Sequence, residues 1–201
     1  MREEGIGRVL VASLHQGIAD ILPSRLSFYE NWLNSEGLRE GTIGLAPLYA
    51  VLSFLRQEGP AYELITTRAG EYAAEWTVES MRPLERALIR KAPIWLRGRL
   101  LVGLARRLVR NSYQGSRALS KVRGGIASVD LRASIFCSVR EPVERPLCGF
   151  YAAAFTRLLT LFNLHSHATV VRCRGTGEPS CLLEFDLAAV SSERDPQVEP
   201  A

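Results

Sequence analysis

Residues 127–135, ASVDLRASI, alternate between apolar and polar side chains without an exception. This period of two is typical of a β-strand with one buried face and one solvated face. Two glycines, Gly124 and Gly125, precede the run, and glycine readily adopts the positive φ angles of a two-residue hairpin turn. The pattern predicts a hairpin in which residues 117–123 form the partner strand. The apolar set expected to face the core is Ala127, Val129, Leu131, Ala133 and Ile135.

The chain before this hairpin has the apolar spacing of helices. Pro23 and the EGP sequence at residues 58–60 separate the predicted helices, because a helix interior does not tolerate proline. Ser24 is a candidate N-cap for the second helix. The predicted helices span residues 7–22, 24–34, 42–57, 60–80 and 93–111.

After the hairpin the helical period returns at Pro146, where one apolar stripe runs through Cys148, Phe155 and Phe162. Two short strands follow, in HATVVRCR (residues 167–174) and CLLEFDL (residues 181–187). The order of helices, hairpin, helix and second hairpin predicts an α+β fold. N-terminal helices would pack on one face of a four-stranded antiparallel sheet.

The length of 201 residues fits a single domain. We divide it into a helical N-terminal part, residues 1–95, and a second part of the same domain, residues 96–189. The remaining segment, residues 190–201, has no apolar periodicity and is predicted to be disordered.

The net charge of +4 comes almost wholly from arginine, and residues 90–110 hold the densest cluster. In the helix predicted there, leucines occupy one face and arginines the other. A solvated arginine face and a face that contacts an anionic surface, such as a membrane, both fit this pattern. The N-terminus does not resemble a signal peptide and no apolar run approaches the length of a membrane span, so we expect a cytoplasmic protein.

Two of the four cysteines, Cys173 and Cys181, flank a glycine-containing turn between the last two predicted strands. Strand parity places Cys173 on the same face as Thr169 and Val171, and both cysteines are expected to point inward. Opposed residues on paired strands have Cβ atoms about 5 Å apart, which suits two ligands of one metal ion. Cys148 could supply a third thiolate.

A closed structural zinc site needs a fourth ligand, for which Glu178 and Cys137 are the candidates. His167 precedes Cys173 by six residues on the same strand, roughly 20 Å away, so it is not expected to share the ion. Four cysteines are too few for a disulfide scaffold in a chain of this length. A zinc site and the burial of small, apolar thiols both remain open on spacing alone.

No catalytic set is recognisable: paired carboxylates, a nucleotide-binding fingerprint and a histidine-rich metal centre are all missing from the sequence. Aromatic side chains could instead line a pocket for an apolar ligand, or fill an ordinary core. The candidates for ligand binding are Trp76, Trp95, Phe150, Tyr151 and Phe155.

Residues 129–187 resemble the 4-vinyl-reductase domain, a small-molecule-binding family similar in fold to the TRAPP vesicle-tethering subunits. The matching features are the strand that ends at Ser134-Ile135-Phe136, the helix opened by Pro146-Leu147-Cys148-Gly149-Phe150, and two cysteines around a glycine turn. The likeness extends over roughly residues 95–188. Before that it rests on the order of helices alone.

The resemblance implies a homodimer formed through the N-terminal helices and a hydrophobic pocket between helices and sheet. It also implies zinc bound by Cys148, Cys173 and Cys181. In the sensory members of the family a carboxylate ligand lies three residues before the first cysteine of the pair. Here that position is Val170, which cannot bind a metal, so Glu178 or Cys137 would have to replace it.

We therefore expect a non-catalytic binding protein for a hydrophobic small molecule. A tetrapyrrole intermediate of bacteriochlorophyll biosynthesis is the preferred ligand, because no ATPase or DNA-binding segment for a sensor to control is recognised. A stand-alone sensor or adaptor, an interaction subunit without a ligand, and a vinyl reductase with an external reductant are the alternatives. A membrane surface or an enzyme is a candidate partner, and nucleic acid is not expected.

Overall fold

The computed structural model describes residues 6–33, 45–113 and 115–187, so the predicted disordered tail lies outside the described residues. The helices in chain order are α1 (Arg8–Ile21), α2 (Leu26–Leu33), α3 (Leu45–Gln57), α4 (Pro60–Glu79), α5 (Pro83–Lys91), α6 (Ile94–Ser112) and α7 (Gly149–Leu161). The strands are β1 (Arg117–Arg123), β2 (Ile126–Arg132), β3 (Thr169–Arg172) and β4 (Cys181–Asp186). Short 3-10 turns span Pro23–Arg25, Ile135–Cys137 and Arg174–Thr176.

The four strands form one antiparallel sheet in the order β1-β2-β4-β3. The predicted hairpin is confirmed, because Arg123 pairs with Ile126 across the two glycines. Gly124 and Gly125 have φ angles of 55° and 83°, as a tight turn between these strands requires. The α+β fold class, with helices packed on a four-stranded antiparallel sheet, is thus confirmed.

Helix α4 is the centre of the helical layer and packs against both α1 and α7. Its residues at these crossings are small, among them Ala69, Gly70, Ala73 and Ala74, and all four are buried. A Cβ atom on Gly70 would overlap the backbone carbonyl oxygen of Phe150 in α7. The helix backbones therefore approach closely because there is no side chain between them.

Apolar periodicity did not predict α5, which lies between α4 and α6 in the structure. This helix is nine residues long, which is shorter than the window of about 11–18 residues over which apolar periodicity is recognised. Arg97 of α6 fixes the turn between the two helices: its guanidinium donates to the carbonyl oxygens of Arg90 (2.8 Å) and Ala92 (3.0 Å). The predicted helix at residues 93–111 is otherwise confirmed as α6.

Other helix predictions are confirmed with shifted boundaries, except at residues 34 and 42–44, which lie outside the described residues. Ser24 does not cap α2, because it lies inside the 3-10 turn Pro23–Arg25. Helix α7 begins at Gly149 rather than at Pro146, and Cys148 occupies its N-cap position. Within the described ranges no helix combines the length and the apolar character needed to cross a bilayer.

The contact between α4 and α7 leads to a stability prediction. Gly70→Ala should lower the free energy of unfolding by about 1–3 kcal/mol, because the new methyl group must push two packed helices apart. Gly103→Ala is the matched control, since a Cβ atom on this helical glycine meets no atom within 4 Å. Alanine there should stabilise α6 by up to about 1 kcal/mol. Denaturant unfolding of both variants measures the difference, and a neutral Gly70→Ala would contradict the close contact.

Candidate metal centre

Cys137 reaches the core through an early end to strand β2. The predicted alternation stops at Arg132, because Ala133 has a φ of 55° and breaks the extended backbone. The expectation that Ala133 faces the core is therefore wrong: Ala133 is exposed, and Ser134 is buried instead. The chain then enters the 3-10 turn that ends at Cys137.

A β-bulge brings Cys173 inward. In the pairing of β3 with β4, Val170 lies opposite Leu183 and Arg172 lies opposite Leu182, so Val171 is an extra residue. The predicted parity of β3 was wrong, since Val171 is 51% exposed. Cys173 nevertheless points inward because the bulge shifts the alternation by one residue.

The alternation predicted for β4 is confirmed, and it directs Cys181 towards the core. Cys181, Leu183 and Phe185 are all buried on the same face of the strand. The fourth side chain comes from Cys148, which is buried at the N-cap of α7. Three separate parts of the chain thus deliver four cysteines to one place.

The four sulfur atoms of Cys137, Cys148, Cys173 and Cys181 all lie within 4.8 Å of one another. The Sγ atom of Cys137 lies 3.1 Å from that of Cys148, 3.4 Å from that of Cys173 and 3.5 Å from that of Cys181. The Sγ atoms of Cys148 and Cys173 are 3.7 Å apart. Four thiolates around a tetrahedral zinc ion would have sulfur atoms about 3.8 Å apart, given Zn–S bonds near 2.3 Å. The donor set and its spacing fit such an ion.

Backbone N–H groups also point at this cluster. Leu147 donates its N–H to the sulfur of Cys173, and Arg174 donates its N–H to the sulfur of Cys181, both at 3.3 Å. Hydrogen bonds of this kind stabilise negative charge on sulfur. They support a thiolate form of both hairpin cysteines.

Hydrogen bonds within the cluster move the thiol pKa values in opposite directions. Those with Cys137 and Cys148 hold the pKa of the Cys173 thiol below its ordinary value. Those with Cys137 and Cys173 raise the pKa of Cys148. The cause is that a thiolate is stabilised by neighbouring S–H donors but repels a second thiolate. Four thiolates can share this space only around a cation, which would deprotonate them on binding.

The structure distinguishes between the two candidates for the fourth ligand. Cys137 belongs to the cluster, whereas Glu178 is exposed and is not among the grouped side chains. His167 is also exposed and outside the group, as its distance along the strand predicted. Val170 stands where the resemblance implies a carboxylate ligand. The set of four donors is nevertheless complete, because Cys137 supplies a sulfur from another part of the chain.

The structure brings together three of the five aromatic residues predicted to bind a ligand. Phe150, Tyr151 and Phe155 are fully buried, and the Tyr151 ring lies 5.2 Å from Phe150 and 6.4 Å from Phe155 between centroids. Trp76 is half-buried and stacks on Tyr72 instead, while Trp95 is 65% exposed on α6. Helical periodicity could not distinguish the buried aromatic residues from the exposed ones, because it does not show which faces of two helices meet.

A cavity of about 480 Å³ lies beside the cysteine cluster. Arg56, Tyr62 and Glu63 line one side, and the loop from Pro142 to Leu147 lines the other. The cluster holds this loop in place. Leu147 precedes Cys148 and bonds to Cys173, and the N–H of Val143 donates to the Gly175 carbonyl oxygen at 2.7 Å.

Polar atoms in the wall of this cavity include the Arg56 Nε, which is buried and has no hydrogen-bond partner among the described residues. Burial raises the pKa of Tyr62, so its phenol stays neutral. Arg145 and Glu63 form a salt bridge of 3.1 Å at the exposed rim. No sequence motif marks these residues, because they come from distant segments of the chain.

Comparison with solved structures shows that the fold is known. The chain is similar to the phenol-responsive sensory domain of the transcription activator PoxR, whose crystal structure contains phenol. The TM-score is 0.51 at 14% sequence identity, over 71% of this chain and 73% of that one. No protein-family model and no curated protein sequence matches the chain. The likeness establishes a shared fold with a small-molecule-binding sensory domain.

The turn between the two hairpin cysteines provides a test of how the site is built. Gly177 has a φ of 90°, which disfavours any residue with a Cβ atom. Gly177→Ala should therefore lower the free energy of unfolding by about 1–2 kcal/mol. Glu178→Ala changes the adjacent exposed residue and should cost less than about 0.5 kcal/mol. Thermal unfolding of the two variants compares them, and equal effects would argue against the turn geometry.

Proposed function

We propose that this protein is a non-catalytic binding domain for a hydrophobic small molecule and that a zinc ion held by four cysteines shapes its ligand site. The observation that carries the proposal is the cavity whose wall, the loop from Pro142 to Leu147, is fastened to the cysteine cluster. Its volume of about 480 Å³ is in the range of small-molecule sites. The similarity in fold to a phenol-responsive domain also supports the binding of a small molecule.

Zinc is the metal that best suits these ligands. A set of four thiolates with near-tetrahedral spacing is typical of closed structural zinc sites, which leave no position open for a substrate. Such an ion would connect the end of β2, the start of α7 and the β3–β4 turn. Its role is therefore to stabilise the fold around the cavity, not to catalyse a reaction.

Metal content tests this part of the proposal. Protein purified without chelators should contain about one zinc ion per chain, because four thiolates complete one tetrahedral site. Cys137→Ser and Cys148→Ser should each remove most of the metal. Removing the ion with a chelator should lower the free energy of unfolding by at least about 3 kcal/mol. Elemental analysis and thermal unfolding provide the measurements.

Glu178→Gln is the control for the cysteine variants, because this carboxylate is exposed and outside the cluster. Its metal content should equal that of the unmodified protein. Loss of metal in Glu178→Gln together with full metal content in Cys137→Ser would contradict the four-cysteine assignment. Protein without metal that is as stable as the metal-bound form would contradict the stabilising role.

The chemistry of the cavity restricts the ligand. Its wall combines prolines and Leu147 with the partly buried Arg56 side chain, whose Nε has no hydrogen-bond partner among the described residues, so an apolar body that carries an acidic or strongly accepting group matches it. A tetrapyrrole of the bacteriochlorophyll pathway has these properties, since its apolar macrocycle bears carboxylates. This is the ligand we propose, and simple phenols are the alternative that the fold likeness suggests.

Titration with Mg-protoporphyrin and with phenol distinguishes these ligands. We expect a spectral shift with the tetrapyrrole and at least tenfold weaker binding to Arg56→Gln, because a charge-assisted hydrogen bond contributes about 1.5–3 kcal/mol. Arg123→Gln removes an exposed arginine at the end of β1 and should bind normally. Binding of phenol alone would exclude the tetrapyrrole, and binding of neither compound would oppose the proposed ligand class.

A second candidate, a sensor or adaptor that passes a ligand signal to a partner protein, is favoured by the fold shared with the sensory domain. It differs in requiring a complex whose stability depends on the ligand. Homodimerisation through the helices of residues 1–95 belongs to the same proposal. Native mass spectrometry with and without the ligand reports the oligomeric state and any such complex.

A further inference from the structure

The helices α5 and α6 form an antiparallel pair with an unusual surface, which we call the basic helix pair. Five of the twelve large hydrophobic side chains that are exposed in the described part of the chain lie between residues 84 and 100. Leu84 is 71% exposed, Leu88 62% and Trp95 65%. Exposed apolar residues on an ordinary protein surface are scattered singly, whereas these are concentrated in one segment.

A groove between the two helices continues this apolar surface. It has a volume of about 580 Å³ and is lined by Leu88 and Ile89 of α5 and by Leu96, Leu100 and Leu104 of α6. The turn at its end leads into Ile94 and Trp95, which are both exposed. The apolar area therefore extends along the groove and includes the tip of the helix pair.

The same segment carries the positive charge of the protein. Residues 81–110 contain nine arginine and lysine residues and a single acidic residue, Glu85, whereas the whole chain has a net charge of +4. The remainder of the chain is thus net negative. Glu85 forms a salt bridge with Arg107 (3.3 Å). The other exposed cations of the segment are Arg82, Arg90, Lys91, Arg99, Arg106 and Arg110.

We propose that the basic helix pair binds the surface of an anionic lipid bilayer. Exposed leucine and tryptophan side chains surrounded by arginine and lysine are the features of helices that lie in a membrane interface. The aliphatic chains would enter the acyl boundary while the cations remain with the lipid phosphates. Nucleic acid would neutralise the cations but would leave the exposed leucines in water.

Arg97 keeps the pair in shape for this role. Its guanidinium is engaged with carbonyl oxygens of Arg90, Ala92 and Phe162, so it ties the turn of the pair to the end of α7. The surface is thus a fixed feature of the fold. The proposal does not depend on the ligand cavity, which is lined by residues of other segments.

Vesicle co-sedimentation of the full chain tests the proposal. The protein should sediment with phosphatidylcholine vesicles that contain phosphatidylglycerol, should remain in solution with pure phosphatidylcholine, and should be released at high ionic strength. Arg99→Gln/Arg106→Gln should lower partitioning by at least about tenfold, since each basic residue near the surface contributes about fivefold. Arg140→Gln/Arg172→Gln changes the net charge equally at two exposed positions outside the basic helix pair and should partition normally.

The apolar contribution has its own pair of variants. Leu88→Ser/Trp95→Ser should weaken vesicle binding several-fold, and Leu64→Ser, which changes a side chain 57% exposed on α4, should not. All three positions are exposed, so the folding of each variant can be checked by thermal unfolding. No sedimentation with anionic vesicles, an equal effect of the control variants, or tighter binding to duplex DNA or to an acidic polypeptide would each overturn the proposal.

Discussion

Four sulfur atoms from three separate chain segments meet at the junction of the helical layer and the sheet. Thiolates at separations of 3.1–3.7 Å repel one another strongly unless a cation lies between them. Their convergence therefore couples the end of β2, the start of α7 and the β3–β4 turn. The loop that forms one wall of the cavity is attached at this point, so the shape of the cavity depends on the cluster.

The helical layer rests on a different constraint, the near absence of side chains where helices cross. Helix α4 meets α1 and α7 through glycine and alanine, and a Cβ atom on Gly17 would lie 2.8 Å from the Ile65 carbonyl oxygen. Backbones that approach so closely leave little freedom in the relative placement of the helices. The start of α7, where Cys148 lies, is consequently fixed from the helical side as well as from the sheet.

Periodicity predicted most of the fold because it reports a property of continuous segments. The Gly124-Gly125 turn, the pairing of β1 with β2 and the inward face of β4 followed from local pattern alone. Helix α5 did not, because its nine residues are too few to establish a helical period. The parity of β3 failed at Val171, since a bulge cannot be recognised from alternation.

The sequence by itself determined the fold class and three of the cysteines of the candidate centre, and it left Cys137 and Glu178 as alternatives for the fourth position. Tertiary structure decided between them. The positive φ of Ala133 ends β2 early and turns Cys137 inward, while Glu178 stays on the exposed side of the hairpin. Local pattern specifies which face of a strand or helix is buried, but it does not specify which distant segments share that buried space. For the same reason it did not show that Phe150 and Tyr151 are fully buried against each other while Trp95 is exposed on the basic helix pair.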